Sequence, residues 1–269
     1  MPEGHTIHRL AQDYAARFQG TTPEVTSPQG KFSDAAPLLT RTELTSTEAH
    51  GKHLFLAFRH AHWIHIHLGL FGKVTFGDTP APPPTDTTRL RLANRTSYVD
   101  LKGPTTCALI TPEEKAAIHD RLGPDPLRDD ATPDTAYDRI HRSRTTIAAL
   151  LLDQKIIAGV GNVYRAEVLF RHNIDPYRQG KDLTKPEWDG IWTDLVDLMR
   201  EGVKNNRIDT VRPQHTPEAM NRPPRVDDHG GEVYVYRRTN QPCHLCGTKI
   251  RTADLSNRNL FWCPTCQQA

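Results

Sequence analysis

The chain has 269 residues, 36% of them apolar and 25% charged, with a net charge of +2. That length supports one large or two ordinary domains with real cores. The near balance of charge excludes a polycation, so a nucleic-acid partner would need local clusters of Lys and Arg. No signal peptide opens the chain and no apolar run nears the ~20 residues of a membrane span, so no membrane association and a cytoplasmic setting are expected.

The chain opens Met1-Pro2-Glu3-Gly4. If Met1 is removed, Pro2 becomes a secondary amine at the terminus. An α-amino group titrates near ~8, against ~10.4 for a lysine, so roughly a tenth of it is an unprotonated nucleophile near neutral pH. Such an amine can attack a sugar or carbonyl carbon and hold it as an iminium while Glu3 moves the proton. The pattern over 6–18 predicts a helix, with Ile7, Leu10, Tyr14 and Phe18 close to one stripe. Backbone amides at a helix start favour anions.

From about 25 to 110 the pattern shifts to short alternating runs, a β-rich domain. Its clearest strands are 54–58 and 63–68, the second with Ile64, Ile66 and Leu68 on one face and His65 and His67 on the other. Further strands are expected over 90–99 and 106–110. Gly51-Lys52 stands just ahead of a strand. Gly69-Leu70-Phe71-Gly72 follows a strand end, either as a turn with buried side chains or as a wedge that replaces an extruded base in a stack. The run 78–88 carries Pro80, Pro82, Pro83 and Pro84 and reads as an exposed loop. His62, His65 and His67 lack a local carboxylate or cysteine and are not read as a metal site.

Three prolines between Gly123 and Pro133 place a linker over 124–134, after a first domain of 1–123. Helices are then expected over 135–143, 146–155, 162–172 and 185–204. The stretch Ala158-Gly159-Val160-Gly161-Asn162 reads as a tight turn between helices, with Asn162 placed to cap the second. Amides at that helix start would hold a phosphate. Residues 205–232 are polar, without apolar periodicity, and read as a long loop that is functional or disordered. The segment 135–232 forms a second domain and 233–269 a small module.

That module carries Cys243-x-x-Cys246 and Cys263-x-x-Cys266, sixteen residues apart. Two such pairs clamp one tetrahedral Zn²⁺ across a hairpin, and four protein ligands leave it structural. Arg258, flanked by Asn257 and Asn259, sits at a polar tip able to reach a phosphate. Cys107, the remaining cysteine, reads as a core residue.

In this order, Met1-Pro2-Glu3-Gly4, Gly51-Lys52, His67-Leu68-Gly69, Leu151-Leu152-Asp153-Gln154 with the glycine turn, and the four-cysteine end with Arg258 cover nearly the whole chain. Together they resemble the bacterial formamidopyrimidine-DNA glycosylase and endonuclease VIII family. The resemblance implies an α+β protein: an N-terminal β-sandwich with flanking helices, a helix-two-turn-helix domain and a C-terminal zinc finger. It also implies a monomeric enzyme acting on double-stranded DNA that carries oxidised bases or abasic sites, in the bacterial nucleoid. Matched residue by residue, Pro2 looks like the Schiff-base nucleophile and Glu3 like the proton donor. Lys52 matches the lysine of β-elimination and Arg258 the arginine of δ-elimination. Asn162 matches a phosphate-binding asparagine and Arg121 is similar to a DNA-contacting arginine of the endonuclease VIII branch, while Gly69, Leu70 and Phe71 are read as the DNA-contacting wedge.

The opening Pro2-Glu3-Gly4 favours the endonuclease VIII branch. So does Asp100-Leu101-Lys102-Gly103-Pro104, which lacks the Arg-Phe-Gly segment of the purine-lesion branch. Val163-Tyr164 and Asn173-Ile174-Asp175-Pro176 look more like the purine branch, and Gly69 replaces a polar residue of endonuclease VIII. Oxidised pyrimidines are the expected substrates, with oxidised purines as the alternative. A non-catalytic DNA-binding protein is the rival class. It would have no use for Pro2, Glu3 and Lys52.

Overall fold

In the computed structural model, which describes residues 2–226 and 231–268, the chain divides into two compact units, Met1–Arg121 and Leu122–Ala269. Among the described residues, no helix is long and apolar enough to cross a membrane.

The first unit begins with α1 (Gly4–Phe18), which buries Ile7, Ala11, Tyr14 and Phe18, a stripe of three- and four-residue steps. It continues through β1 (Glu24–Thr26), the short α2 (Ala36–Leu39), β2 (Leu44–His50), β3 (His53–Phe58), β4 (His62–His67), β5 (Lys73–Asp78), β6 (Thr88–Ala93), β7 (Ser97–Lys102), β8 (Thr106–Ile110) and α3 (Pro112–His119). The strands form two four-stranded antiparallel sheets, ordered β1-β6-β7-β5 and β2-β3-β4-β8. Leu54, Leu56, Ile64 and Ile66 of one sheet share a core with Val25, Leu90, Leu92, Val99 and Leu101 of the other, and with the α1 stripe. This is a sandwich with a helix packed along it, and Cys107 lies in its core. Burying the four large apolar side chains of β3 and β4 alone contributes on the order of 6–12 kcal/mol of transfer free energy.

One expected strand, 90–99, is instead a hairpin. The Asn94 side chain accepts from the amides of Thr96 and Ser97 at 3.0 and 2.8 Å, an Asx turn that reverses the chain into β7. Across that hairpin Arg91 faces Asp100 in a buried two-point ion pair of 2.6 and 2.8 Å. Helix α3 lay outside the sequence reading. Thr111 and Glu114 start it with a reciprocal capping box.

The second unit contains α4 (Pro133–His141), α5 (Ile147–Leu150), α6 (Asn162–Arg171), α7 (Lys185–Asn205) and the hairpin of β9 (Arg251–Leu255) and β10 (Arg258–Trp262). The helix expected over 146–155 stops at Leu150. Asp153 then accepts from the Lys155 amide at 2.9 Å, and the Gln154 side chain bonds the Gly159 amide and the carbonyls of Leu152 and Val160 at 2.9–3.0 Å. Those side-chain bonds replace the helical ladder and fold the segment into successive turns.

Helix α6 is the axis of this unit, buried from Asn162 to Phe170. Its Glu167 carboxylate is fully buried and accepts from the amides of Tyr234, Val235 and Tyr236 and from the Thr210 hydroxyl, all within 2.8 Å. Both ends of the expected loop over 205–232 are thereby fixed. Glu232 adds bonds from the Arg222 side chain and the Arg225 amide, at 2.7 and 2.6 Å. Residues 227–230 of that loop lie outside the described residues.

Candidate active site

In the first unit, Thr47 of β2 donates to the Ala11 carbonyl at 2.7 Å, while the Gly20 amide, just past α1, donates to Leu44 at the start of β2. Helix α1 therefore runs antiparallel to β2. From Ala11 to Gly4 the helix climbs about 10 Å toward the His50 end of the strand. Pro2 and Glu3 lie at that end. So does the Gly51-Lys52 turn between β2 and β3, where Gly51 takes φ +57°. His53 pairs with His67, and His67 with Thr106, so 68–72 and 103–105 leave the sheet at this end as well. The sandwich gathers Pro2, Glu3, Lys52, Gly69, Leu70 and Phe71 there.

Glu3 is fully buried in the extended residue preceding α1, and Pro2 is half-buried. The 69–72 turn requires glycine at both ends. Gly69 has φ +66°, and a Cβ there would lie 1.9 Å from Thr105 Oγ1; a Cβ on Gly72 would lie 2.4 Å from the Leu68 carbonyl oxygen. Between them Leu70 is 53% exposed and Phe71 86%. The buried-turn reading of this motif is thus excluded, and the apolar pair projects into solvent. Gly103, at φ +60°, packs against the backbone carbonyl of Phe71.

A histidine face covers this sheet. His53 Nδ1 lies 2.8 Å from His65 Nε2, His50 Nδ1 lies 3.1 Å from His119 Nδ1, and the His53 and His67 rings are 5.0 Å apart. Burial, then the neighbouring histidines and Arg121, pulls His53 down to about 3; burial, His67 and Arg121 bring His65 to about 4. His67 is lowered by burial and by the Lys52 charge beside it. Arg121 is exposed, and its charge reaches this face from the chain that follows α3. His5 is also buried and lowered to about 4, by burial first and then by the amino-terminal charge. His5, His53 and His65 are therefore neutral imidazoles near neutral pH. Sequence reasoning saw His65 and His67 but not His5, His50, His53 or His119. His53 and His65 occupy the same sheet face by strand periodicity, but His119 needed α3 to be placed.

In the second unit, the residue capping α6 is Gly161, not Asn162, which is the first residue of the helix. The Asn162 side chain turns away from its own helix amides: Nδ2 donates to the Asn259 carbonyl at 2.9 Å and Oδ1 accepts from Arg165. Arg258 is exposed as the first residue of β10, after a Ser256–Asn257 turn with φ of +56° and +57°. Two successive positive φ values match the right-handed twist of a tight hairpin.

The four cysteine sulfurs converge within 4.8 Å of one another, with Cys243 to Cys266 at 3.9 Å and Cys246 to Cys263 at 3.5 Å. Four thiolates around Zn²⁺ at ~2.3 Å stand about 3.8 Å apart, so the cluster fits one tetrahedral zinc with no open position. The ion is structural.

A sandwich, a helical unit threaded by a glycine turn, and a four-thiolate hairpin define the helix-two-turn-helix class of DNA glycosylases. Residues 1–107 match the formamidopyrimidine-DNA glycosylase N-terminal domain, 122–212 the formamidopyrimidine-DNA glycosylase H2TH domain, and 240–269 the zinc finger found in FPG and IleRS. The chain is 48% identical over 274 residues to Endonuclease 8 1 of Mycobacterium tuberculosis strain H37Rv, covering 99% of this chain and all of that one. It is 30% identical to a formamidopyrimidine-DNA glycosylase of Parasynechococcus marenigrum, covering 99% of both. In fold it is similar to Lactococcus lactis Fpg, solved in complex with DNA containing an abasic site. The TM-score is 0.79 at 20% identity, over 99% of this chain and 100% of that one. The chain belongs to the formamidopyrimidine-DNA glycosylase and endonuclease VIII family of DNA repair enzymes, DNA glycosylases with AP lyase activity, and is nearer the endonuclease VIII branch.

Proposed function

We propose that the protein excises oxidised bases from double-stranded DNA, oxidised pyrimidines ahead of 8-oxoguanine, and then cuts the strand by β,δ-elimination. Its setting is the bacterial nucleoid. In this reading Met1 is removed and the deprotonated Pro2 nitrogen attacks C1′ of an extruded nucleotide. The bond from C1′ to the base breaks, and the base leaves with a proton that balances the one given up by the Pro2 nitrogen. Glu3 protonates the ring oxygen, and the opened sugar is held as an iminium on Pro2. Loss of a C2′ proton, served by Lys52, expels the 3′ phosphate. A second elimination, served by Arg258, expels the 5′ phosphate, and water then releases Pro2. Asn162 and Arg121 hold backbone phosphates, while Gly69, Leu70 and Phe71 fill the vacated stack.

The observation that carries the pyrimidine preference is the exposed wedge of Leu70 and Phe71. Leu70 and Phe71 project from a glycine-locked turn, and the neighbouring loop meets them with Gly103. No arginine and phenylalanine pair stands in 101–104 to read an orphaned cytosine. Such an enzyme selects weakly on the opposite base, which suits damaged pyrimidines facing adenine or guanine. Incubation with duplexes holding thymine glycol, dihydrouracil or 8-oxoguanine tests this. The two pyrimidine lesions should be excised faster. Faster removal of 8-oxoguanine opposite cytosine would overturn the preference and leave the chemistry standing.

A further inference from the structure

Arg165 lies in the first turn of α6 and is fully buried. A buried guanidinium is costly unless its hydrogens are met by well-placed oxygens. Its Nη1 reaches the Ala148 carbonyl at 3.4 Å, and its Nη2 reaches both Asn162 Oδ1 and the Asn259 carbonyl, the latter at 3.1 Å. The Asn259 carbonyl also accepts from Asn162 Nδ2 at 2.9 Å. These three residues close a triangle between sequence positions almost a hundred residues apart.

The triangle fixes the Asn162 amide chemically. Guanidinium is donor-only and a carbonyl acceptor-only, so Oδ1 must face Arg165 and Nδ2 must face Asn259. Asn162 Nδ2 carries a second hydrogen with no partner among the described residues, and it is held in one direction at the start of α6, where anions are favoured. On the other side, both lone pairs of the Asn259 carbonyl are filled. That pins the backbone one residue beyond Arg258, on a strand whose other end runs into Cys263.

We infer that Arg165 is the positioning residue that sets Asn162 and Arg258 in one fixed geometry for two phosphates of the DNA backbone. The inference rests on the reading that Asn162 and Arg258 contact phosphate, and adds how the two are held together. Arg165 itself stays buried and touches no DNA. A lysine, with a single nitrogen, serves this role poorly, because the planar fork anchors one nitrogen on the Ala148 carbonyl while the other meets Asn162 and Asn259.

The test uses the full-length zinc-loaded protein and a duplex carrying a tetrahydrofuran abasic analogue. Arg165→Met should weaken binding about tenfold and lower the salt slope by about the one to two contacts it misplaces, with zinc content unchanged. Arg165→Lys should recover only part of the loss. The discriminating readout is a double-mutant cycle with Arg258→Ala. Positioning of Arg258 by Arg165 makes the two changes strongly non-additive, with the double variant within about twofold of Arg165→Met alone. Independent, multiplying losses would reduce Arg165 to a core residue and overturn the inference, as would unchanged affinity in Arg165→Met. If that variant does not fold, Arg165→Lys carries the same cycle; loss of zinc or of the folded state in both would also overturn it. Unchanged affinity in Arg258→Ala itself would instead defeat the phosphate-contact reading, and this inference with it.

Discussion

The two units hold their candidate site residues in place by different means. The sandwich does so with local turns. Gly51 and Gly69 take left-handed conformations within a residue or two of Lys52, Leu70 and Phe71, Gly103 takes one against the Phe71 carbonyl, and His53 and His65 nearby are neutral. The helical unit does so with buried charge. Glu167 and Arg165, two residues apart on α6, reach 67 to 69 and 94 residues along the chain to hold 234–236 and Asn259. Sites made of local turns can be read from sequence; sites made of long-range bonds to a buried charge cannot.

Four perturbations, from the largest expected effect to the smallest, would sharpen or break that contrast. Removing zinc should act on the second unit alone. Metal binding is folding free energy for such hairpins, on the order of 10 kcal/mol for small zinc peptides. Chelation, or Cys263→Ser, should unfold the thiolate hairpin and abolish DNA binding while the sandwich keeps its thermal transition. A calorimetric scan in which both transitions fell together would show that the units do not divide the work.

Glu167→Ala comes next. It strands three backbone amides and a threonine hydroxyl in the core, which costs about 3–5 kcal/mol. Denaturant unfolding should place the whole loss in the second unit. A change below about 1 kcal/mol would mean that 233–236 is held by packing alone.

Acid separates the units by the pH at which each fails. His5, His53 and His65 sit at about 4, 3 and 4 when folded, below the usual ~6.5. A histidine depressed on folding gives stability that is complete above its unfolded value and drains away as pH falls toward its folded one. The sandwich should therefore weaken between about pH 6.5 and 4. In the helical unit the opposite groups matter. Arg178 bonds hold Glu187 at about 2. Asp194 also lies at about 2: burial raises it, but His172 and Arg171 bonds outweigh that. Those carboxylates keep their contribution until pH falls below about 4. His244, at about 3 through burial and nearby arginines, and His215, lowered by burial and by Arg212, are the exceptions there. Circular dichroism melts from pH 7 to 4.5 should show the sandwich losing more; equal losses would remove the distinction.

Phe71→Ala should have the smallest effect on stability, within about 0.5 kcal/mol, because the ring is 86% exposed. Its effect on excision should be large, about tenfold or more, if the ring fills the emptied stack. Wild-type excision in that variant would remove the wedge.

The same contrast accounts for what was legible in the sequence. The α1 stripe, the β3 and β4 alternation and the cysteine pairs have local signatures, and the glycine pair around Leu70 and Phe71 announced a turn. The hairpin at Asn94 went unread although Asn94-Arg95-Thr96-Ser97 is a polar break between two apolar runs, because the Asx turn that reverses the chain depends on one side-chain oxygen. The break after Leu150 hid because Gln154 bonds backbone up to six residues away. Asn162 was recognised as a site residue, yet its partner across 97 positions was not. Arg165 gave no signal at all, since nothing local says that an arginine on a helix will be buried.

The most direct measurement concerns Pro2. Borohydride reduction during turnover of abasic-site DNA should leave one covalent adduct, and mass spectrometry should map it to the proline nitrogen of a chain lacking Met1. Efficient trapping by protein that retains Met1, or an adduct mapped to Lys52, would contradict the account.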